Sequence, residues 1–320
     1  KEPYYIPPFT VTAKAIGLIA EISALIERYA IRLEQTDGLR LRKANRIKTI
    51  HSSLAIEGNK LSESQVEDII NGKNIVAPIR EIQEVKNAIQ TYELYPKLNP
   101  FNENDLLKAH GVMMNSLTED AGRFRQSGVG VFAGEKCVHM APPAQRVPFL
   151  ISELFDWLKY SKDHLLIRSC VFHYEFEFIH PFSDGNGRMG RMWQTLLLMQ
   201  WKPIFAWLPV ESIVKEFQQD YYSAISQSDK EGNSTAFIVF MLKCILKSLK
   251  EMYESNQKSN QKSNQKVLNA IKNNPKITIK ELQELIGMSE SGIKKILRQL
   301  RNDGVISRVG GAKGGHWYVL

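Results

Sequence analysis

The chain has few cysteines and no long uninterrupted apolar stretch. Its three cysteines, Cys137, Cys170 and Cys244, stand far apart in 320 residues. This spacing indicates neither a disulfide framework nor a zinc site. The most apolar stretches, near residues 194–199 and 236–246, are short or interrupted by polar residues, so we expect no membrane span. The sequence therefore predicts a protein of a reducing compartment, which we take to be the cytoplasm.

The sequence also lacks the Gly-x-x-x-x-Gly-Lys-Ser/Thr motif, which argues against an ordinary P-loop ATPase. A hydrophobic content of 43% with 24% charged residues is typical of a globular protein, and the length suggests two or three domains. The net charge of +8 is unevenly distributed, because residues 266–320 alone contribute +6. A basic C-terminal segment favours a polyanionic partner such as DNA.

The densest group of functional side chains lies in residues 180–191, which read His-Pro-Phe-Ser-Asp-Gly-Asn-Gly-Arg-Met-Gly-Arg. Apolar residues at helical spacing over 166–180 predict a helix with one buried face. Pro181 biases His180 away from helical dihedral angles, so this helix should stop with His180 at its exposed end. A second buried helix is predicted to begin with Asn186.

The start of the second helix has the features of an anion site. The first N–H groups of a helix lack internal partners, and the helix dipole is positive there, which favours a phosphate. Gly185 and Gly187 allow a ligand to approach the backbone, while Arg188 and Arg191 add charge-assisted hydrogen bonds. Asp184 fits beside phosphates if Mg²⁺ lies between them.

His180 is then a candidate general base. An alternative interpretation uses His173, Glu177 and His180, which are four and three residues apart, as metal ligands for hydrolysis. This alternative leaves Pro181 and the glycines unexplained, and no His-Glu-x-x-His motif supports it.

Residues 180–191 resemble the signature of Fic-domain proteins, His-Pro-Phe-x-Asp/Glu-Gly-Asn-Gly-Arg-x-x-Arg, and match it at every fixed position. The resemblance covers about residues 40–250. It implies transfer of AMP from ATP to a Ser, Thr or Tyr hydroxyl of a target protein, with His180 as the base and Asp184 as the Mg²⁺ ligand. Nucleotide-binding residues implied in the same way are Gly185, Asn186, Gly187, Arg188, Gly190 and Arg191. Related enzymes transfer phosphate or remove AMP, and the signature leaves these alternatives open.

Two further segments resemble parts of the same family. Ser53 and Glu57, in Ser-Leu-Ala-Ile-Glu-Gly, resemble the Ser/Thr-x-x-x-Glu-Gly/Asn inhibitory motif, whose glutamate reaches the second signature arginine, here Arg191. A carboxylate in a last helical turn opposes the helix dipole, which favours an external cation as its partner. Tyr222, after Tyr221, resembles the segment that lines the adenosine pocket, although one of these two tyrosines suits core packing equally well.

Residues 101–255 are predicted to form the catalytic core. Gly122-Arg123-Phe124-Arg125 resembles the family element before a flap, and Val129, Val131 and Val138 predict a hairpin turned at Ala133-Gly134. Its edge would let a target segment add as a strand and present a hydroxyl to His180. An irregular surface loop is the alternative.

The N-terminal region, residues 1–100, is predicted to be helical and to include the inhibitory motif. Apolar spacing over residues 10–34 is compatible with a homodimer seam as well as with an ordinary core face. Ser62 is a candidate helix cap. Polar residues of the next helices, including Glu84 and Asn87, are expected to be solvated or interhelical.

Residues 256–266 repeat Asn-Gln-Lys-Ser, so they form a polar linker or a solvated continuation of the preceding helix. Residues 267–320 predict a winged helix-turn-helix, in which Ser289 to Arg301 form the recognition helix. DNA binding is the leading interpretation, and protein contact is the alternative. The whole chain is thus predicted to be mainly α, a Fic-type helical bundle with a short hairpin and a C-terminal winged helix. A second function stays open, a DNA-binding regulator in which the bundle senses nucleotide.

Overall fold

The computed structural model of the chain describes residues 5–33, 38–133, 136–311 and 314–320. It forms two compact units. The first comprises residues 1–23 and 44–248, and the second comprises residues 24–43 and 249–320. No described helix combines the length and apolar character needed to cross a membrane.

The chain is mainly helical, as predicted, and has two small antiparallel hairpins. The helices are α1 (Ala13–Leu33), α2 (Gly38–Ile56), α3 (Glu63–Ile70), α4 (Ile79–Glu93), α5 (Glu103–Met113), α6 (Val147–Tyr160), α7 (Leu165–Ile179), α8 (Asn186–Met199), α9 (Val210–Glu216), α10 (Gln218–Glu231), α11 (Thr235–Asn273), α12 (Ile279–Ile286) and α13 (Glu290–Asn302). Short 3₁₀ turns occupy Tyr95–Lys97, Ala144–Arg146 and Pro203–Trp207. The strands are β1 (Gly130–Ala133), β2 (Lys136–Met140), β3 (Ile306–Val309) and β4 (His316–Val319).

Helix α7 belongs to the first unit and packs against α6 and α8. The sequence predicts that one face of this helix is buried, but residues on every side of α7 are buried. Two of its buried polar residues are hydrogen-bonded. The Ser169 hydroxyl donates to the Leu166 carbonyl, and the Glu175 carboxylate accepts from the Tyr5 hydroxyl at 3.2 Å.

Local sequence signals set most helix ends. Ser62 caps α3, as predicted, and forms a capping box with Gln65. Helix α2 ends at Ile56, two residues before Gly58 with φ +93°. The sequence predicts one closing helix of the bundle over residues 210–227, but the structure has two helices there, α9 and α10. They are separated at Phe217, whose dihedral angles leave the helical range.

The predicted hairpin is present as β1 paired with β2, with Gly130 opposite Met140 and an irregularity after Val131. Its predicted turn at Ala133-Gly134 lies partly outside the described residues. The hairpin precedes α6, which leads into α7 and the signature loop.

The second unit contains the predicted winged helix. Thr278 caps α12 with a capping box, Gly287 ends that helix with φ +72°, and Ser289 caps α13. Strands β3 and β4 then pair as an antiparallel wing.

Apolar residues at Val267, Leu268 and Ile271 predict a separate short helix that stops before Pro275. Its separate start is wrong, because α11 continues without a break from Thr235 to Asn273. No proline or glycine interrupts it, and the Asn-Gln-Lys-Ser repeat is compatible with a solvated helix.

Candidate active site

The signature loop begins at His180, which ends α7 in the left-handed conformation, with φ 50° and ψ 63°. This conformation is unfavourable for a residue with a side chain, so the surroundings must hold it. Arg125 does so from an almost fully buried position. Its Nε donates to the His180 carbonyl at 2.7 Å, and its Nη atoms donate to the carbonyls of Ser127, Pro142 and Ile179.

The His180 side chain is 19% exposed, so it is less open to solvent than predicted. Its Nδ1 lies 3.3 Å from the Glu177 carbonyl oxygen, and the Glu177 carboxylate lies 4.0 Å away. A carbonyl oxygen can only accept a hydrogen bond, so this contact places the ring proton on Nδ1 and the basic lone pair on Nε2.

The buried Asn186 side chain bonds to the backbone of the signature loop at Phe182. Its Oδ1 accepts from the Phe182 N–H at 2.9 Å, and its Nδ2 donates to the Phe182 carbonyl at 2.8 Å. Gly185 has φ +87°, and a Cβ there would overlap Met114. The structure therefore gives these two predicted nucleotide-binding residues a further role, because they shape the turn that starts α8.

Arg188 and Asp184 form an ion pair beside the start of α8. Arg188 Nη2 donates to Asp184 Oδ1 at 2.9 Å, and Arg188 is only 4% exposed. Glu84 of α4 lies 3.8 Å from Arg188 Nη1 and accepts a hydrogen bond from Asn59 at 2.8 Å. Arg80 of the same helix donates to Asp184 Oδ2 at 3.2 Å. Four charged groups from α4 and the signature thus meet here.

Arg191 contacts both residues of the predicted inhibitory motif. Its Nη2 donates to Glu57 Oε1 at 2.7 Å and to the Ser53 carbonyl at 3.0 Å, and its Nε donates to Ser53 Oγ at 3.3 Å. Burial disfavours the charge of Arg191, but nearby carboxylates, Glu57 first, raise its pKa. The Glu57 carboxylate lies so close to Gly187 that a Cβ there would overlap it.

His110 was not identified as a site residue, yet it holds the signature loop. Its Nδ1 accepts from the Gly122 N–H at 2.9 Å, so Nε2 carries the proton and donates to the Asp184 carbonyl at 3.0 Å. The ring stacks on Phe182 with centroids 3.6 Å apart. Burial lowers the pKa of His110 to about 4, which keeps the ring neutral.

The alternative metal site of His173, Glu177 and His180 is not supported. His173 is fully buried, and its ring nitrogens bond to Gln194 at 2.6 Å and to Tyr221 at 3.0 Å. In the described part of the chain, no three His, Cys, Asp or Glu side chains group closely enough to hold a metal.

The last two predicted nucleotide-binding residues lie in different surroundings. A Cβ at Gly190 would overlap the Glu177 carboxylate and lie tightly against the His173 ring, so Gly190 allows α7 and α8 to pack closely. Tyr222 is 45% exposed, whereas Tyr221 belongs to the core. Gln218 Nε2 donates to the Tyr222 hydroxyl at 3.3 Å and to the Ile56 carbonyl at 3.1 Å, which places Tyr222 near the end of α2.

The residues that sequence reasoning missed are Arg80, Glu84, His110 and Arg125 as members of the site. Arg125 belongs to the short segment that resembles a family element, but the sequence did not indicate what its side chain does. Arg80 and Asp184 are 104 residues apart, and no local pattern connects them.

Comparison with known proteins agrees with this geometry. A model of the Fic/DOC family matches residues 100–198, and a winged helix-turn-helix DNA-binding model matches residues 261–307. The protein adenylyltransferase Fic of Culex quinquefasciatus is 30% identical over 222 residues, and that of Nematostella vectensis is 29% identical over 213 residues. The matches cover 66% and 62% of this chain, but only 42% and 47% of the relatives. The chain thus spans less than half the length of these curated relatives.

A solved structure is similar over the whole chain. The crystal structure of a Fic family protein from Desulfovibrio desulfuricans G20 is 41% identical, with a TM-score of 0.76, and the match covers 99% of this chain and 98% of that chain. The complete signature, the helical arrangement around it and this full-length similarity lead to one conclusion: the chain belongs to the Fic family.

Proposed function

We propose that the protein transfers AMP from ATP to a Ser, Thr or Tyr hydroxyl of a protein. The observation that carries this proposal is the signature loop, which joins His180 at the end of α7 to the N-terminus of α8 and its two buried arginines. Relatives bearing the name protein adenylyltransferase support it.

The phosphates of ATP would bind at the N-terminus of α8. The N–H groups there and the helix dipole favour an anion, and Gly187 lets it approach closely. Glu57 supports this placement, because its carboxylate already occupies the space against Gly187. Arg188 Nε has no hydrogen-bond partner among the described residues, which leaves a donor for a phosphate oxygen. Tyr222 offers an exposed ring for the adenosine.

His180 would act as the general base. With its proton on Nδ1, Nε2 accepts the proton of the target hydroxyl while the hydroxyl oxygen attacks the α-phosphorus. The bond to the β-phosphate breaks, and pyrophosphate leaves. A target segment paired with the edge of the β1–β2 hairpin would present that hydroxyl.

Asp184 fits the role of a Mg²⁺ ligand. Mg²⁺ is commonly held by one carboxylate together with phosphate oxygens and water, so a larger ligand cluster is not required. Asp184 is 43% exposed, which leaves its carboxylate accessible. The ion would offset negative charge on the phosphates. Arg188 would keep the carboxylate oriented through its bond to Oδ1.

We further propose that Glu57 restrains this activity. Its bond to Arg191 uses a donor that would otherwise hold the γ-phosphate, and its carboxylate fills space at the start of α8. The restraint is an exchange of one anion for another on Arg191, so removing Glu57 should free the arginine for ATP.

A labelling assay with α-labelled ATP tests the transferase and its restraint together. We expect weak labelling by the full wild-type chain and labelling about tenfold stronger or more for Glu57→Gly, which a barrier change of about 1.4 kcal/mol would give. Adding His180→Ala should lower labelling by about 100-fold or more, because a general base contributes that much.

Two matched controls sharpen the assay. Glu231, like Glu57, is a glutamate followed by glycine at a helix end, and Glu231→Gly should leave labelling unchanged. His316→Ala, a histidine substitution in the wing, is the control for His180→Ala. Added to Glu57→Gly, it should not lower the labelling that Glu57→Gly gives. If Glu57→Gly behaves like Glu231→Gly, the restraint is excluded; if the His180→Ala variant still labels strongly, His180 is not the base.

A second function, DNA binding, is supported by the winged helix. Basic side chains on or near the exposed surface of α13 are Lys294, Lys295, Arg298 and Arg301. The match to a winged helix-turn-helix DNA-binding model supports a duplex as the partner. Helix α13 would enter the major groove, and the β3–β4 wing would contact the backbone beside it.

Fluorescence anisotropy of the full chain with a labelled duplex tests this function. We expect binding that weakens with salt, and a double Arg298→Ala, Arg301→Ala variant should lower the log–log salt slope by about 2. The control is a double Lys272→Ala, Lys276→Ala variant, which removes the same amount of charge outside α13. It should change the salt slope less than the double arginine variant does. No binding at low salt would exclude DNA as the partner.

A further inference from the structure

Arg80, near the start of α4, lies over the outer oxygen of Asp184. Its Nη2 donates to Asp184 Oδ2 at 3.2 Å, and its Nη1 lies 3.5 Å from the Leu117 carbonyl oxygen. Its Nε is also 3.5 Å from Glu84. These contacts aim the guanidinium at the signature loop, although Arg80 belongs to a helix outside it.

The two oxygens of Asp184 have different surroundings. Oδ1 accepts from the Gly185 N–H at 2.6 Å and from Arg188 at 2.9 Å. Among the described residues, the hydrogen bond to Oδ2 comes from Arg80. Because Oδ1 is used to build the loop, Oδ2 is the oxygen that can bind a cation, and a positive group from α4 already lies against it.

A cation can displace Arg80 from its ion pair with Asp184 more easily than it can displace Arg188. The side chain of Arg80 is 57% exposed, and that of Arg188 is 4% exposed. An exposed ion pair contributes little because water and salt screen it, while a buried charge that loses its partner is strongly penalised. A divalent cation would therefore displace Arg80 and leave Arg188 in place.

We propose that Arg80 occupies the cation side of Asp184 and competes with the divalent cation for Oδ2. It thereby sets the cation concentration at which the site fills. This inference rests on the proposed role of Asp184 as the metal ligand.

The test is a Mn²⁺ titration of the full chain, with free Mn²⁺ measured by electron paramagnetic resonance, so that no turnover is needed. Arg80→Ala should bind Mn²⁺ about fivefold more tightly than wild type, because an exposed competing pair is lost. Arg80→Lys keeps a competing charge and should lie between the two. Asp184→Asn should show no binding above a nonspecific baseline.

Lys86→Ala is the matched control, because Lys86 is exposed on the same helix and its removal changes the net charge equally. It should alter Mn²⁺ affinity less than twofold, since charges that are farther away are screened. If Arg80→Ala has the same Mn²⁺ affinity as Lys86→Ala, or binds Mn²⁺ more weakly than wild type, the inference is overturned.

The same measurements separate this inference from the proposed function. If Asp184→Asn binds Mn²⁺ as wild type does, the metal assignment fails and the role of Arg80 fails with it. If Asp184→Asn loses binding but Arg80→Ala does not tighten it, only the role of Arg80 fails. Labelling by Glu57→Gly then still reports on AMP transfer independently.

Discussion

The basic residues of α8 and of α13 occupy opposite environments. Arg188 and Arg191 in α8 are 4% and 3% exposed, and each contacts a carboxylate. On α13, Arg298 is exposed and Lys294 pairs within its own helix with Glu290. Buried charges require partners, so each of these arginines is held by a carboxylate. Exposed charges act at a distance and are screened by salt.

The largest effect should come from breaking a buried pair. Arg191→Ala removes the partner of Glu57 and Ser53 and leaves a void beside α2, so we expect the free energy of unfolding to fall by about 3 kcal/mol. Urea denaturation followed by circular dichroism measures this change.

Glu57→Gln is the companion variant for Arg191→Ala. It keeps the shape and a neutral acceptor, and Glu57 is 34% exposed, so it should cost less than Arg191→Ala. A loss of stability for Arg191→Ala below about 1 kcal/mol would show that the buried arginine is not held as described.

The next effect concerns a buried carboxyl that lines a small cavity together with Arg191. Glu211 of α9 is 2% exposed, and burial raises the pKa of its carboxyl to about 7. A small cavity is lined by Glu211, Thr195 and Arg191, among others. In the unfolded chain this carboxyl titrates near its ordinary value of 4.5.

Between about pH 5 and 7 the folded protein thus retains a proton that the unfolded chain has lost, so stability must fall as pH rises through this window. Glu211→Gln should make the decrease in the free energy of unfolding between pH 5 and pH 8 smaller by on the order of 3 kcal/mol. Urea denaturation at the two pH values measures this difference. Glu175, whose pKa burial also raises to about 7, should leave some pH dependence in the variant. Glu216→Gln changes an exposed residue at the end of the same helix and should leave the pH profile as in wild type; parallel profiles for Glu211→Gln would contradict the prediction.

Local patterns predicted well those features that depend on neighbouring residues. Pro181 ended α7 at the expected place, Asn186 began α8, and Ser62 and Gly287 marked helix ends. The contact between Glu57 and Arg191 was also anticipated, but only through resemblance to a family, because 134 residues separate them.

Features that depend on packing were not readable from the sequence. His110 lies in an ordinary amphipathic stretch, and only the fold brings it under Phe182 and the Asp184 carbonyl. Glu84 was expected to be solvated or interhelical; it is interhelical, but its partner on α8, Arg188, was not predicted. The Asn-Gln-Lys-Ser repeat has no apolar face, so its composition did not decide between a linker and the helix that α11 forms there.

The smallest effect should be the loss of an exposed charge on α13. Arg298→Ala removes a side chain that lies outside the apolar core of the winged helix, formed by residues such as Ile293, Leu297 and Trp317. We expect the free energy of unfolding to change by no more than about 0.5 kcal/mol. Leu297→Ala, one residue earlier in the same helix, should cost about 2 to 4 kcal/mol because it opens a cavity in that core. Urea denaturation of both variants measures the contrast, and comparable losses would mean that Arg298 packs rather than faces a polyanion.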